Sequence, residues 1–425
     1  MNKTLLACLA GVALLAALPF LLSQGLLNAA IQMLIAALFA SAYNLLCGQA
    51  GMLSFGHAAY FGVGAFATVH AMNALGGEGL LPTPLMPLAG ALGGLAFGAV
   101  AGWFATQRSG TYFAMITLAI AELVHSLAPH LKSLFGGEAG ISTMRMPAWG
   151  FDFGSTTQVY YLTLAWVLFA LLLLYLYTRT PLGRLTLGLR ENSRRLRFLG
   201  YNVHGVGTLV FALSAMFAGM AGGLQAMSNE SANYVVFDAS LSAAAVLNTY
   251  IGGTQVFLGP ALGAALMTLF GYAVSDLTRS WLLYQGIIFV LVMMFLPTGL
   301  TGLVGMVERQ VERHGAGRLA GVFVLAVACA LFTAAGTVFL VELLQRVFAQ
   351  EYRSLIPATG AWPAVRVFDR SWDVLSPLTW GVPAVLLGIG GLLLWSCRAR
   401  LASVTDRAES AVTAADRATG MKELA

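Results

Sequence analysis

Charge is what this chain has least of. Asp, Glu, Lys and Arg make up 10% of its 425 residues, against about 25% in soluble domains. Between Lys3 and Arg108 the one acid or base, histidines aside, is Glu78. No water-facing surface can be built from such a stretch. Cysteine is scarce as well. Cys8, Cys47, Cys329 and Cys397 lie within or at the ends of apolar runs, without CxxC or Cys/His spacing. That pattern excludes a zinc site and a disulfide framework. The chain has no GxxxxGK[ST] loop to cradle a nucleotide and no Ser/His/Asp, Cys/His or HExxH set for chemistry on a substrate. Neither a cofactor nor a metal is expected, and the chain does not read as an enzyme.

What is present is hydrocarbon and glycine. Apolar residues reach 58%, mean hydropathy is +0.79, and there are 48 glycines. Glycine at that level suits helices packed through small residues in a bilayer. The fold class is an all-α polytopic membrane protein. Its net charge of +5 reports membrane sidedness and argues nothing for nucleic acid.

One polar stretch interrupts the hydrocarbon, Arg179 to Val203. It holds Arg179, Arg184, Arg190, Arg194, Arg195 and Arg197 against the single acid Glu191. Positive-inside bias places it on the cytoplasmic side. Thr180 offers an N-cap, Pro181 a first helical residue and Gly200 a stop. Leu182, Leu185, Leu189, Leu196 and Leu199 recur at spacings of three, four and seven, which predicts one amphipathic helix with the arginines mostly on its other face. Two uses fit this helix: a loop resting on anionic lipid headgroups, or a handle gripped by a cytoplasmic protein.

Taking about 20 apolar residues per crossing, spans fall near 4–23, 26–47, 57–75, 86–106, 111–128, 158–178, 207–227, 239–254, 256–274, 281–298, 319–342 and 380–397. The first reads as a retained span by its length, a signal peptide being the alternative. Counting from a cytoplasmic Lys3 places Arg108, Arg179–Arg197, Arg309, Arg313, Arg318 and the tail from Arg398 on one side. The 129–157 loop then lies outside. Residues 1–305 form a core of about ten spans; 306–425 is an extension with two more, a polar outer segment 343–379 and a cytoplasmic tail. Both termini are expected in the cytoplasm.

Two Gly- and Ser-interrupted segments, 43–66 and 239–266, mark where helices break at membrane depth. Freed backbone persists there only inside protein or along a wet cavity, so paired interruptions point to a substrate path; close helix packing is the plainer alternative. The span 239–254 is short and ends at Gly252-Gly253. Glu122 and His125 share a helix face, either lining a path or meeting headgroups at the span's outer end. His57 reads first as a structural hydrogen-bonder, with Ser54 beside it.

Six ordered blocks, YNLLCGQAGMLSFGHAAYFGVGA (43–65), TYFAMITLAIAEL (111–123), FGGEAGI (135–141), TPLGRLTLGLRENSRRLRFLGYNV (180–203), IGGTQVFLGPALGA (251–264) and FLPTGLTGL (295–303), resemble the LivM-like permeases of branched-chain amino acid ABC importers. The likeness covers roughly 26–305. It implies one half of a heterodimeric channel in the bacterial inner membrane, joined by a second permease subunit, two cytoplasmic ATP-binding subunits and a periplasmic solute-binding protein, with lipid around it. It also implies that 180–202 is the coupling helix, with Leu182, Leu185, Leu189, Arg190, Glu191, Leu196 and Gly200 meeting the ATPase. The translocation path is assigned to Gly51, Ser54, His57, Glu122, His125, Gly252, Gly253 and Gln255. Gln255 stands where the family commonly has glycine, which questions a tight backbone approach there. Urea, short amides or aromatic acids are alternative cargoes, and an ion-coupled carrier is the rival mechanism.

Overall fold

A computed structural model describes residues 3–76, 81–276, 278–296, 298–303, 316–350, 352–354, 362–367 and 370–397. Glu78, the expected sidedness markers Arg309 and Arg313, and the tail 398–425 lie outside the described residues. The chain divides into two compact units. Unit 1 is Met1–Val274 with Gln285–Gly302; unit 2 is Ser275–Tyr284 with Leu303–Ala425.

The molecule is a multi-pass α-helical membrane protein. Unit 1 begins with α1 (Lys3–Leu21), α2 (Gln24–Asn44), α3 (His57–Ala71), α4 (Pro87–Ala105) and α5 (Thr111–Leu127). A one-turn α6 (Lys132–Phe135) precedes α7 (Thr156–Arg179), α8 (Pro181–Phe198), α9 (Val203–Asn229), α10 (Ala239–Gly252) and α11 (Gly259–Ser275). Helix α12 is Trp281–Phe295, and the extension holds α13 (Ala316–Phe348) and α14 (Pro377–Cys397). Among the described residues six helical stretches are long and apolar enough to cross a membrane.

Small residues choose which helices lie deepest. Helices α3, α4 and α9 pack on one another through Gly64, Gly90, Gly94, Gly219 and Gly222, where an added Cβ would run into the facing backbone. Around this trio α2 buries Leu27, Ile31, Ile35, Leu38 and Tyr43. Helix α7 carries Tyr160 and Tyr161, whose hydroxyls donate to the α1 carbonyls of Leu15 (2.7 Å) and Ala16 (3.0 Å).

The two ends of α9 separate two polar regions by its 27 residues, about 40 Å at 1.5 Å per residue. At its start is α8. At its end Glu230 turns the chain with φ 53° and holds the 129–157 loop. Glu230 Oε1 accepts from the Arg145 amide at 3.0 Å and pairs with its Nε at 3.2 Å. Strands β1 (Ile141–Ser142) and β2 (Ser231–Ala232) pair antiparallel beside that contact.

Three sequence expectations shift. The 239–254 span is a 14-residue helix that stops at Gly252, too short to cross alone. Helix α13 runs to Phe348, into the expected outer loop 343–379, because Phe339, Leu343 and Val347 bury against Val365, Val367 and Val374. Val365 and Val367 belong to a hairpin in that loop, β3 (Val365–Val367) with β4 (Arg370–Trp372). The Arg179–Val203 stretch is not one helix. Asn192 leaves helical geometry at φ −160°, ψ 91°.

Candidate functional site

Three segments far apart in sequence meet at the α8 end of unit 1. The first follows α2, where Leu45–Gln49 winds as a π-helix. Such a turn breaks the i→i−4 ladder and recurs at functional positions. Gly51 then turns at φ 70°, and a non-helical stretch leads to α3 at His57. The second is the α10–α11 joint. Thr254 lies against Gly48 at backbone level, Cys47 Sγ meets the Tyr250 hydroxyl at 3.4 Å, and Thr249 donates to the Ala40 carbonyl at 3.3 Å. The interrupted segments 43–66 and 239–266 are therefore neighbours.

The third is α8. Arg190 Nη1 donates to the Gly48 carbonyl at 2.6 Å, inside the π-turn. Its own Cβ and Cγ pack over Gly51, where an added side chain would press on them. A guanidinium donor makes the stronger kind of hydrogen bond, worth about 1.5–3 kcal/mol.

The shape of α8 follows from its caps. Thr180 Oγ1 accepts from the Gly183 amide at 3.1 Å with Pro181 in the first turn, and Gly200 ends the segment at φ 86°. In the middle, Asn192 Oδ1 accepts from the Arg195 amide at 3.0 Å, so Asn192 N-caps a second short arm. The bend lays Leu196 onto Gly188. Leu196 is thus buried in this chain and is not open to a partner, which corrects its place among the expected partner contacts. Leu185 and Leu189 are half-buried and Leu182 is exposed. The most open apolar groups are Phe198, 91% exposed, and Leu199, neither among the expected contact residues. Glu191 and Arg190 also sit on the exposed side of the bend.

Ser54 and His57 are wholly buried. Ser214 donates to the Ala42 carbonyl at 2.6 Å, so its oxygen accepts from His57 Nε2 at 2.8 Å. A hydroxyl has one proton to give, so Nε2–H is the tautomer and Nδ1 takes the Ser54 hydroxyl at 3.2 Å. Tyr43 and Tyr60 stand edge-on around the ring. This network ties α3 to α2 and α9 and exposes neither side chain, so both residues sit in the packed interior of this chain.

At the α10–α11 joint Gly253 takes φ 104°, Gly299 packs on it at φ 72°, and Thr301 donates to the Gly252 carbonyl at 2.8 Å. The close approach is made by Gly252, Gly253, Gly259 and Gly263, while Gln255 is exposed on the turn. The long amide at 255 therefore does not obstruct it.

Glu122 and His125 are not part of this junction. They lie toward the end of α5, 3.8 Å apart and both partly exposed. Tyr234 stacks on His125, and hydrogen bonds from the Ser240 backbone and hydroxyl hold the Asp238 carboxyl below its usual range, with His125 adding a little. Tyr112, Met115 and Leu118 continue the same exposed side of α5 toward its start.

A sequence model of the family described as branched-chain amino acid transport system / permease component matches residues 25–297. The high-affinity branched-chain amino acid transport permease LivM of Salmonella typhimurium is 27% identical over 306 residues, 66% of this chain and 71% of that protein. LivM of Escherichia coli is 27% identical over 322 residues, 70% and 75% of the two chains. BraD, a high-affinity branched-chain amino acid transport permease of Pseudomonas aeruginosa, is 25% identical over 288 residues, 63% and 91%. No solved structure matches.

Proposed function

The chain belongs to the branched-chain amino acid transport permease family, and on that premise we propose that it is one membrane half of an ATP-driven importer carrying branched-chain amino acids across the bacterial inner membrane. It is a transport subunit and not an enzyme. In this reading a second permease completes the channel, two ATP-binding subunits dock from the cytoplasm and a periplasmic binding protein delivers cargo. Both termini lie in the cytoplasm, and residues 306–425 are an appendage to the core.

The observation that carries the reading is the Arg190–Gly48 hydrogen bond. A loop that only rested on headgroups would have no need to send a guanidinium into the π-turn of a neighbouring span. Here α8 grips both interrupted segments at once, directly at Gly48 and through Gly48 at Thr254. An ATPase closing on Leu182, Glu191, Phe198 and Leu199 moves α8, and the bent segment carries that displacement into α2 and α10 as a rigid-body shift. The path itself runs along the exposed side of α5. A carboxylate at Glu122 is costly against lipid, so this side faces water and the second permease, which supplies the opposite wall.

The test is co-purification from native membranes, joined to leucine uptake in cells. Wild-type chain should bring down an ATP-binding subunit and a second permease. Leu182→Asp and Glu191→Ala should lose the ATPase while keeping the permease. Recovery of a homo-oligomer with no ATPase, with uptake driven by an ion gradient, would overturn the reading.

A further inference from the structure

Unit 2 contains an open cleft of about 730 Å³ that the transport reading does not use. Its walls come from three places: the turn before α12, the last two turns of α13, and β3. Asp276, Arg279, Glu342, Gln345, Arg346 and Arg366 supply its charged and amide groups. Volumes of about 300–1,000 Å³ are those of small-molecule sites.

These groups divide into a layer paired within the chain and a layer with no ion pair among the described residues. Glu342 is buried, and its oxygens are occupied: Oε1 accepts from the Thr278 and Tyr284 hydroxyls, and Oε2 pairs with Arg346 at 3.5 Å. The Ser280 hydroxyl donates to Gln345 Oε1, which leaves the amide hydrogens of Gln345 available. This layer pins the turn to α13. Above it, Asp276, Arg279 and Arg366 make no ion pair among the described residues. Two guanidiniums and one carboxylate with no ion pair among the described residues thus border a single cleft. Arginine presents a planar fork of donors that matches a carboxylate.

We propose that this cleft binds a small zwitterion, its carboxylate held by Arg279 and Arg366 and its ammonium by Asp276. The mixed charge of the rim argues against a simple anion or cation, each of which would meet a repelling group. The site rests on the cleft's own residues and stands whether or not leucine is the transported cargo.

Equilibrium binding to the full chain in lipid nanodiscs tests it, with leucine, isovalerate and isoamylamine as probes. Leucine should bind saturably, and each half-molecule about tenfold more weakly or worse, the loss of one charged contact. Arg279→Ala with Arg366→Ala should abolish binding of leucine and isovalerate alike. Asp276→Asn should weaken leucine and leave isovalerate unchanged, a split that general damage to the fold would not produce. All three positions are at the surface, and an unaltered melting temperature confirms that the variants fold. No saturable leucine binding, or leucine binding that survives the double arginine change, overturns the proposal. ATPase co-purification is scored separately: its loss with leucine binding intact sinks the importer reading and leaves this one standing.

Discussion

Helices α4 and α12 are both strongly apolar, yet one is packed and the other largely open. Helix α4, PLAGALGGLAFGAVAGWFA, places Gly90, Gly94 and Gly98 directly on α9. Helix α12, WLLYQGIIFVLVMMF, leaves Val290, Leu291, Met294 and Phe295 exposed. Between helices in hydrocarbon there is no hydrophobic gain, since lipid tails are as oily as leucine, and close van der Waals contact decides. Small residues permit that contact and large ones prevent it. Size, and not hydropathy, therefore sorts the buried helices from the outer ones.

The sharpest way to break this comparison is to put one side chain on each kind of helix. Gly64→Val sets a branched side chain where α3 meets the backbone of Gly219. Neither backbone can step aside, so the cost should exceed the ~1–3 kcal/mol of ordinary overpacking, and no monodisperse protein should survive detergent extraction. Gly286→Val on α12 meets nothing within 4 Å. It should change the melting temperature little, and upward if at all, since valine is the better helix former. Equal damage from the two variants would refute the size argument.

How far the sequence carried depends on whether a feature is local. The caps of α8, Thr180 with Pro181 and the stop at Gly200, are chemistry of adjacent residues and were legible. So were the breaks at Gly51 and Gly253. The bend at Asn192 was not, although an asparagine three residues before an amide it can cap was there to be seen. The leucine spacing of seven from Leu189 to Leu196 hid it, because that interval stays in phase for a straight helix. The meeting of Gly48 with Thr254 joins positions about 200 residues apart, and no local pattern announces such a contact. The exposure of Phe198 and Leu199 is likewise a product of the bend. The leucine spacing alone placed Leu199 on the apolar face, and nothing in it singled out Phe198.

The next comparison is between two hydrogen-bonded ties, one buried and one at the loop. Ser214→Ala removes the hydroxyl that links His57 to the Ala42 carbonyl. It leaves the buried Nε2–H of His57 without its partner at about 1–3 kcal/mol, so the melting temperature should fall by several degrees with partner binding kept. Arg190→Ala removes a contact at the exposed edge of the same bundle. Its stability cost should be smaller, but leucine uptake should fall severely while the ATPase still co-purifies, because the grip on the π-turn is gone. An Arg190→Ala protein that transports normally would show that α8 moves the spans by another route.

The smallest expected effects separate the exposed side of α5 from that of α13. Both helices present large apolar groups, Tyr112 and Met115 on one, Val324 and Leu331 on the other. Only α5 adds a carboxylate, Glu122, to that side. Lipid covers large apolar side chains at no cost, whereas a carboxylate demands water or protein. Val324→Ala with Leu331→Ala should therefore alter stability by no more than ~0.5 kcal/mol, the usual range for surface positions without a special role, and should leave uptake unchanged. Met115→Cys should cross-link to the second permease, and Leu331→Cys to none. A cross-link from Leu331→Cys would mean that protein, not lipid, lies against α13, and that exposure of large apolar residues alone does not identify the lipid side.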